Sequence, residues 1–175
     1  FEHWLDRSGT AQPWCTTVSF VNPHDIAWWW RWSQRTRTER WAPRIVADLP
    51  LNFETPAQLS ARRKPRVQLS LQETSAVSFG EVPFEGAGAR PGWLPFLDLY
   101  VQLQRNVDRH VQRVLAALAR RPRVLANTVV VFVSDHGEYG GSHGLRGKGA
   151  GMYDEAIRVP LVLTDFTGKL GLQPG

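Results

Sequence analysis

An α/β layered domain with a mostly parallel sheet is the fold class this sequence predicts. Three observations carry it. Thr128–Val133 is an unbroken apolar run of strand length, an amphipathic helical pattern precedes it, and two strand candidates each run directly into a polar, histidine-bearing segment. A strand covered on both faces reads as a continuous apolar run, and strands alternating with helices are the mark of α/β layers. The 175 residues fit one domain, or a large piece of one. At 42% hydrophobic and 21% charged residues, the chain has an ordinary globular composition able to bury a core.

The first strand expected is Cys15–Val21, rich in β-branched and aromatic residues and stopped by Asn22-Pro23. Residues 28–92 show no sustained period and hold six of the 12 prolines, which predicts a loop-rich stretch with a short helix near Pro56 to Arg63. From Trp93 to Arg120 the residues Tyr100, Leu103, Val107, Val111, Val114 and Leu118 recur every three or four positions, one face of a long helix. Arg113, Arg120 and Arg121 suit its C-terminal end, and Pro122 lies just beyond. The strand Thr128–Val133 follows, then a loop from Gly137 to Gly151 holding seven of the 15 glycines, and a last strand candidate at Val159–Thr164. We find no internal repeat.

No apolar run approaches the ~20 residues of a membrane span. A single cysteine, Cys15, excludes an internal disulfide framework and a multi-cysteine zinc site. No signal peptide is visible, so compartment is left open. The formal net charge is +5, with 18 Arg and 3 Lys against 16 acidic residues. Arg31 to Arg66 alone carries nine positive residues against three acidic ones, beside Trp28, Trp29, Trp30, Trp32 and Trp41. Such a basic and aromatic insertion, residues 28–92, suits a solvated face, the steering of an anionic substrate, or binding of a polyanion. No nucleic-acid module signature accompanies it, so nucleic acid is not the expected partner.

In open α/β sheets ligands bind at the carboxyl ends of strands. Val18–Val21 runs into Asn22-Pro23-His24-Asp25, and Val129–Val133 runs into Ser134-Asp135-His136-Gly137. Asp135 and His136 have the chemistry of a divalent-metal ligand pair, or else Asp135 caps a turn while His136 bonds the backbone. Lys148, in the glycine-rich loop, suits an anionic oxygen or simply solvent. The loop lacks the Walker spacing, with Ser142 six residues before the lysine and Gly149 after it. No nucleophile elbow surrounds Ser19, and no activating partner is visible for Cys15.

Four segments taken in order, Val18–Asp25, Val131–Glu138, His143-Gly-Leu with Lys148-Gly149, and Tyr153–Leu161, resemble the sulfatase family of the alkaline phosphatase superfamily. The resemblance runs over about residues 14 to 166 and is weak from 31 to 92 except near Asp48–Phe53. It implies a partial alkaline phosphatase/sulfatase-like sandwich and a metal-dependent sulfuric ester hydrolase acting on a small-molecule or saccharide sulfate ester. It implies that Asp135 and His136 are metal ligands, for Ca2+ first and Mn2+ or Mg2+ as alternatives. It also implies that His24 contacts the ester group and assists the leaving oxygen and that Lys148 contacts the sulfate; His143 matches a recurrent family position, where we expect a structural role. The family's formylglycine nucleophile arises within C/S-x-P-x-R, and that motif and an Asp-Asp pair are both absent from these 175 residues; Cys15 is followed by Thr17 and Ser19 where proline and arginine belong. The expectation is a single partial catalytic domain over 1–175, inactive alone, whose nucleophile-bearing portion precedes Phe1. A phosphodiester or phosphonate monoester hydrolase, or a non-catalytic polyanion-binding protein, are the alternatives.

Overall fold

The computed structural model describes residues 1–8, 12–28, 45–149 and 151–172. Most of the basic, Trp-rich run, residues 29–44, lies outside them. The chain divides into two compact units: residues 1–20, 105–134 and 160–175 in the first, and 21–104 and 135–159 in the second. No helix among the described residues is long and apolar enough to cross a membrane.

In the first unit, α1 (Glu2–Ser8) begins with an acidic residue and carries Arg7 in its last turn, as the helix dipole favours. It packs through Leu5 against Ala117, Leu118 and Val124, with Trp4, Trp14, Leu125 and Val130 around them. Arg120 pairs with Glu2, and Arg121 Nε donates to Asp6 at 2.8 Å. The helical partner is the C-terminal half of α4 (Ala89–Ala119), which matches the long helix read from the 3.6-residue period and starts four residues before Trp93. A short α5 (Pro122–Leu125) uses Pro122 at its first turn and leads to β1 (Val129–Val133).

β1 pairs with β2 (Leu161–Asp165) in an antiparallel ladder centred on Val131 opposite Leu163, and among the described residues this is a two-stranded sheet. The expected parallel arrangement is not what this pair shows. Val133 faces Leu161, so residues 134–160 leave and return at the same end of the ladder, a connection that makes neighbouring strands antiparallel. Full burial of β1 is not observed either: Val131, Phe132 and Val133 are exposed, since a ladder partner pairs only a strand's edge and its faces are buried by layers packed on the sheet. The expected strand at Cys15–Val21 has no ladder partner among the described residues, and its Val18, Phe20 and Val21 are exposed.

In the second unit, α2 (Pro56–Ala61) starts with a capping box. Thr55 Oγ1 accepts from the Gln58 N–H and Gln58 Oε1 accepts from the Thr55 N–H. Leu59 is its fully buried residue. A 14-residue helix, α3 (Arg66–Phe79), stands where the sequence pattern predicts loop. It was hidden because its buried positions are Gln68 and Gln72 rather than apolar residues, which erases the usual period. The core joins Ile26, Val82, Trp93, Phe96 and Leu97, with Phe53 set edge-on to Trp93 at 5.2 Å between centroids. Trp93 Nε1 donates to the Pro83 carbonyl at 3.0 Å, which satisfies the one polar atom of a buried indole. Asp98, fully buried on α4, accepts from the Ile45 and Val46 N–H groups at 2.5 and 2.9 Å and from Gln102 at 2.6 Å. Those bonds anchor the segment that carries Asn52 and Glu54 toward the glycine-rich loop.

Candidate functional site

Asp135 and His136 follow β1 at once, and the backbone there is fixed from behind. Gly137 N–H donates to the Ala156 carbonyl of α6 (Asp154–Ile157) at 2.9 Å, and a Cβ at Gly137 would fall closer than 3.0 Å to the Glu155 carbonyl oxygen. Glycine is therefore required for this close approach. The pair of side chains is left facing outward.

His136 Nδ1 lies 2.7 Å from the Gly137 carbonyl, an acceptor only, so Nδ1 carries the proton. Nε2 then holds the lone pair, and Lys148 Nζ donates to it at 2.7 Å. The Asp135 Oδ2 atom stands 3.4 Å from the same Nε2. Three of the four residues expected at the site thus meet within contact distance: Asp135, His136 and Lys148. Desolvation opposes ionisation of Asp135, but His136, the backbone N–H groups and Lys148 together outweigh it and hold the carboxyl below its ordinary range. His24 opens a 3-10 turn, His24–Trp28, through its N–H bond to the Val21 carbonyl, and Ile26 of that turn sits in the core.

A carboxylate oxygen and an imidazole lone pair 3.4 Å apart suit two cis positions around one divalent ion. The backbone carbonyl on Nδ1 is the type of outer partner that fixes the tautomer of a ligating histidine. Among the described residues no group of three or more His, Cys, Asp or Glu side chains is gathered to hold an ion, so Asp135 and His136 offer two donors only.

The loop behind Lys148 is tightly organised. Glu138 Oε1 accepts from the Gly140 N–H at 3.1 Å and the Gly147 N–H at 2.5 Å, while Tyr139 N–H donates to the Gly147 carbonyl at 3.0 Å. Burial raises the Glu138 pKa; the two N–H bonds, the nearby His136 and the charge of Lys148 pull against that, and the net position stays above the ordinary value. Arg146 is buried, with Nε on Ser75 Oγ and an Nη on the Ser75 and Gly80 carbonyls, which ties the loop to the end of α3. Burial pushes its pKa down to about 10, against the pull of Glu138.

His143 sits in a separate network. Its Nδ1 bonds Glu54 Oε2 at 2.8 Å, its ring stacks on Tyr153 at 3.7 Å, and its Nε2 faces Glu155 at 3.7 Å and Asn52 at 3.5 Å. Asn52 Nδ2 donates to Glu155 at 2.7 Å, and Arg62 reaches Glu54 at 2.5 Å. This knot ties the loop to α6 and to the segment before α2. Sequence spacing did not single out Glu54, Glu155, Glu138 or Arg146, although Glu138 closes the Val131–Glu138 segment and Glu54 directly follows Asp48–Phe53.

The family model described as Sulfatase matches residues 1–169. The chain belongs to the sulfatase family. It is 28% identical over 168 residues to a choline-sulfatase of Rhizobium meliloti (strain 1021), covering 95% of this chain and 28% of that protein. Over 71 residues it is 42% identical to an uncharacterized sulfatase, YidJ, of Escherichia coli (strain K12), covering 41% of this chain and 14% of that protein. A solved structure of a 2-O GAG sulfatase superposes with a TM-score of 0.62 at 26% identity, over 82% of this chain and 29% of the other. This sulfatase-family chain therefore spans less than a third of the length of each of these relatives.

Proposed function

We propose that this chain carries part of the centre of a metal-dependent sulfuric ester hydrolase that cleaves a sulfate monoester of a small molecule or saccharide. The observation that carries the reading is the meeting of Lys148 Nζ with His136 Nε2 at 2.7 Å, with Asp135 beside them. A cation and two metal-type donors at one point suit a tetrahedral anionic group. Asp135 and His136 would hold the ion, calcium first on the strength of hard oxygen donors, together with ligands from outside these 175 residues. Bound there, the ion supplies positive charge to the ester's non-bridging oxygens. With the Nε2 lone pair given to the ion, Lys148 would turn from His136 to one of those oxygens and stabilise the charge that grows on it. His24 gives its proton to the departing alkoxide, the role imidazole suits near neutral pH.

The reading requires a nucleophile, and no C/S-x-P-x-R segment occurs in these residues. The reading therefore draws the nucleophile and the Asp-Asp ligand pair from residues outside these 175. Genomic DNA upstream of the Phe1 codon tests this. An in-frame extension encoding Asp-Asp and Cys-x-Pro-x-Arg or Ser-x-Pro-x-Arg is expected. An upstream stop codon without those motifs leaves no nucleophile and overturns the enzymatic reading in favour of polyanion binding.

A further inference from the structure

We infer that Glu138 is a positioning residue that fixes Lys148 against His136 by clasping the loop that joins them. Its assignment to sulfate chemistry rests on the function proposed above; the clasp itself rests on geometry alone. His136 and Lys148 are separated by eleven residues, five of them glycine, and glycine costs more backbone entropy to order than any other residue. Something must hold such a segment if the lysine is to stay in one place.

Both backbone groups of Gly147, the residue before Lys148, are held from Glu138 and Tyr139. Its N–H goes to Glu138 Oε1 at 2.5 Å and its carbonyl accepts from the Tyr139 N–H at 3.0 Å. Gly147 has φ of 75° with open space around it, and Gly140, the other donor to Glu138, has φ of 53°. Both N–H groups reach one carboxylate oxygen because these two residues adopt the left-handed region. A single side chain thus closes the loop at its start and its end, two residues after one partner and ten before the other. The clasp thus supplies two N–H bonds to one side chain, one of them on the residue next to the lysine. Other anchors hold other points of the loop: Arg146 bonds Ser75 and Gly80, Tyr139 Oη donates to the Gly151 carbonyl at 3.0 Å, and His143 joins Glu54.

Amide hydrogen exchange and imidazole 15N NMR on the 175-residue chain test the inference. Glu138→Ala is expected to speed exchange at Gly140 and Gly147 at least tenfold and to move the His136 Nε2 resonance, which reports the Lys148 contact. Exchange at the Ala117 and Leu118 amides is expected to hold. Glu138→Gln keeps an oxygen acceptor of the same reach and is expected to retain the His136 resonance. Unchanged Gly147 exchange and an unchanged His136 resonance in Glu138→Ala would overturn the clasp. So would equal acceleration throughout the chain, which marks a general structural role. If the alanine variant does not fold, Glu138→Asp decides by the same two readouts, because it keeps the charge and loses the reach. Titration with inorganic sulfate reads the other question separately. A wild-type chain whose Lys148 amide ignores sulfate counts against the sulfatase reading and leaves the clasp result standing.

Discussion

Glu54 offers a quantitative test of what holds the glycine-rich loop to the rest of its unit. The residue is 3% exposed, and its carboxylate joins His143 Nδ1 at 2.8 Å and Arg62 at 2.5 Å. Arg62 is 60% exposed, so that pair contributes little, roughly 0–1 kcal/mol. His143 is 13% exposed, and its bond to a carboxylate is of the stronger kind, about 1.5–3 kcal/mol. Glu54→Ala also strands the Nδ1–H group without an acceptor, which brings the expected loss to roughly 2–4 kcal/mol. Near ~2–4 °C per kcal/mol for a chain of this size, the midpoint of melting falls by about 5–15 °C. Glu54→Gln retains an acceptor and is expected to lose only about 1 kcal/mol. Urea unfolding of the two single variants, His143→Ala and the double variant gives the coupling directly. The pH dependence has a definite sign. Burial raises the Glu54 pKa, but the bonds from His143 and Arg62 and the charge of Lys64 outweigh it, so the folded value lies below the unfolded one. The contribution is therefore complete above the unfolded carboxylate value of about 4.3 and fades as pH falls through the folded value. A Glu54→Ala loss under ~0.5 kcal/mol at pH 7, or a gap from wild type that stays constant into acid, refutes this account.

Two further outcomes concern the proposed centre. Gly137→Ala forces a Cβ into the Glu155 carbonyl and is expected to cost about 1–3 kcal/mol or more in urea unfolding, because the Cβ is fixed by its own backbone and the oxygen it meets is backbone too; a neutral result would show that the Asp135–His136 turn is not held by α6. In the full-length enzyme, His24→Ala is expected to slow sulfate esters with poor leaving groups by ~10²–10⁴-fold and to spare those with good ones. Equal slowing of both series would refute its role as the acid.

The sequence made several elements legible for physical reasons that survive in the structure. The long helix was readable because its apolar face repeats with the helical period, and α2 because Thr55, Pro56 and Gln58 write a capping box locally. α3 was not readable, because it buries Gln68 and Gln72, whose partners lie far along the chain: Tyr153 Oη for the first, and the Glu54 and His143 carbonyls for the second. The strand at Cys15–Val21 failed for the converse reason. β propensity describes a residue that suits a pleated surface, and a strand exists only where a neighbour supplies the ladder.

By itself the sequence determined the chemistry available to this protein: a carboxylate and an imidazole placed after a strand, a lysine in a loop of glycines, and four ordered segments that mark the sulfatase family. Those are properties of residue type and spacing, and they need no partner to be read. Only the tertiary structure decided which of these groups meet. It set Lys148 on His136, gave Glu138 the two ends of the loop, and enclosed His143 between Glu54 and Glu155. These contacts join residues from two to about ninety positions apart. The energy that selects among them comes from burial and from hydrogen bonds to distant backbone, which no local pattern records.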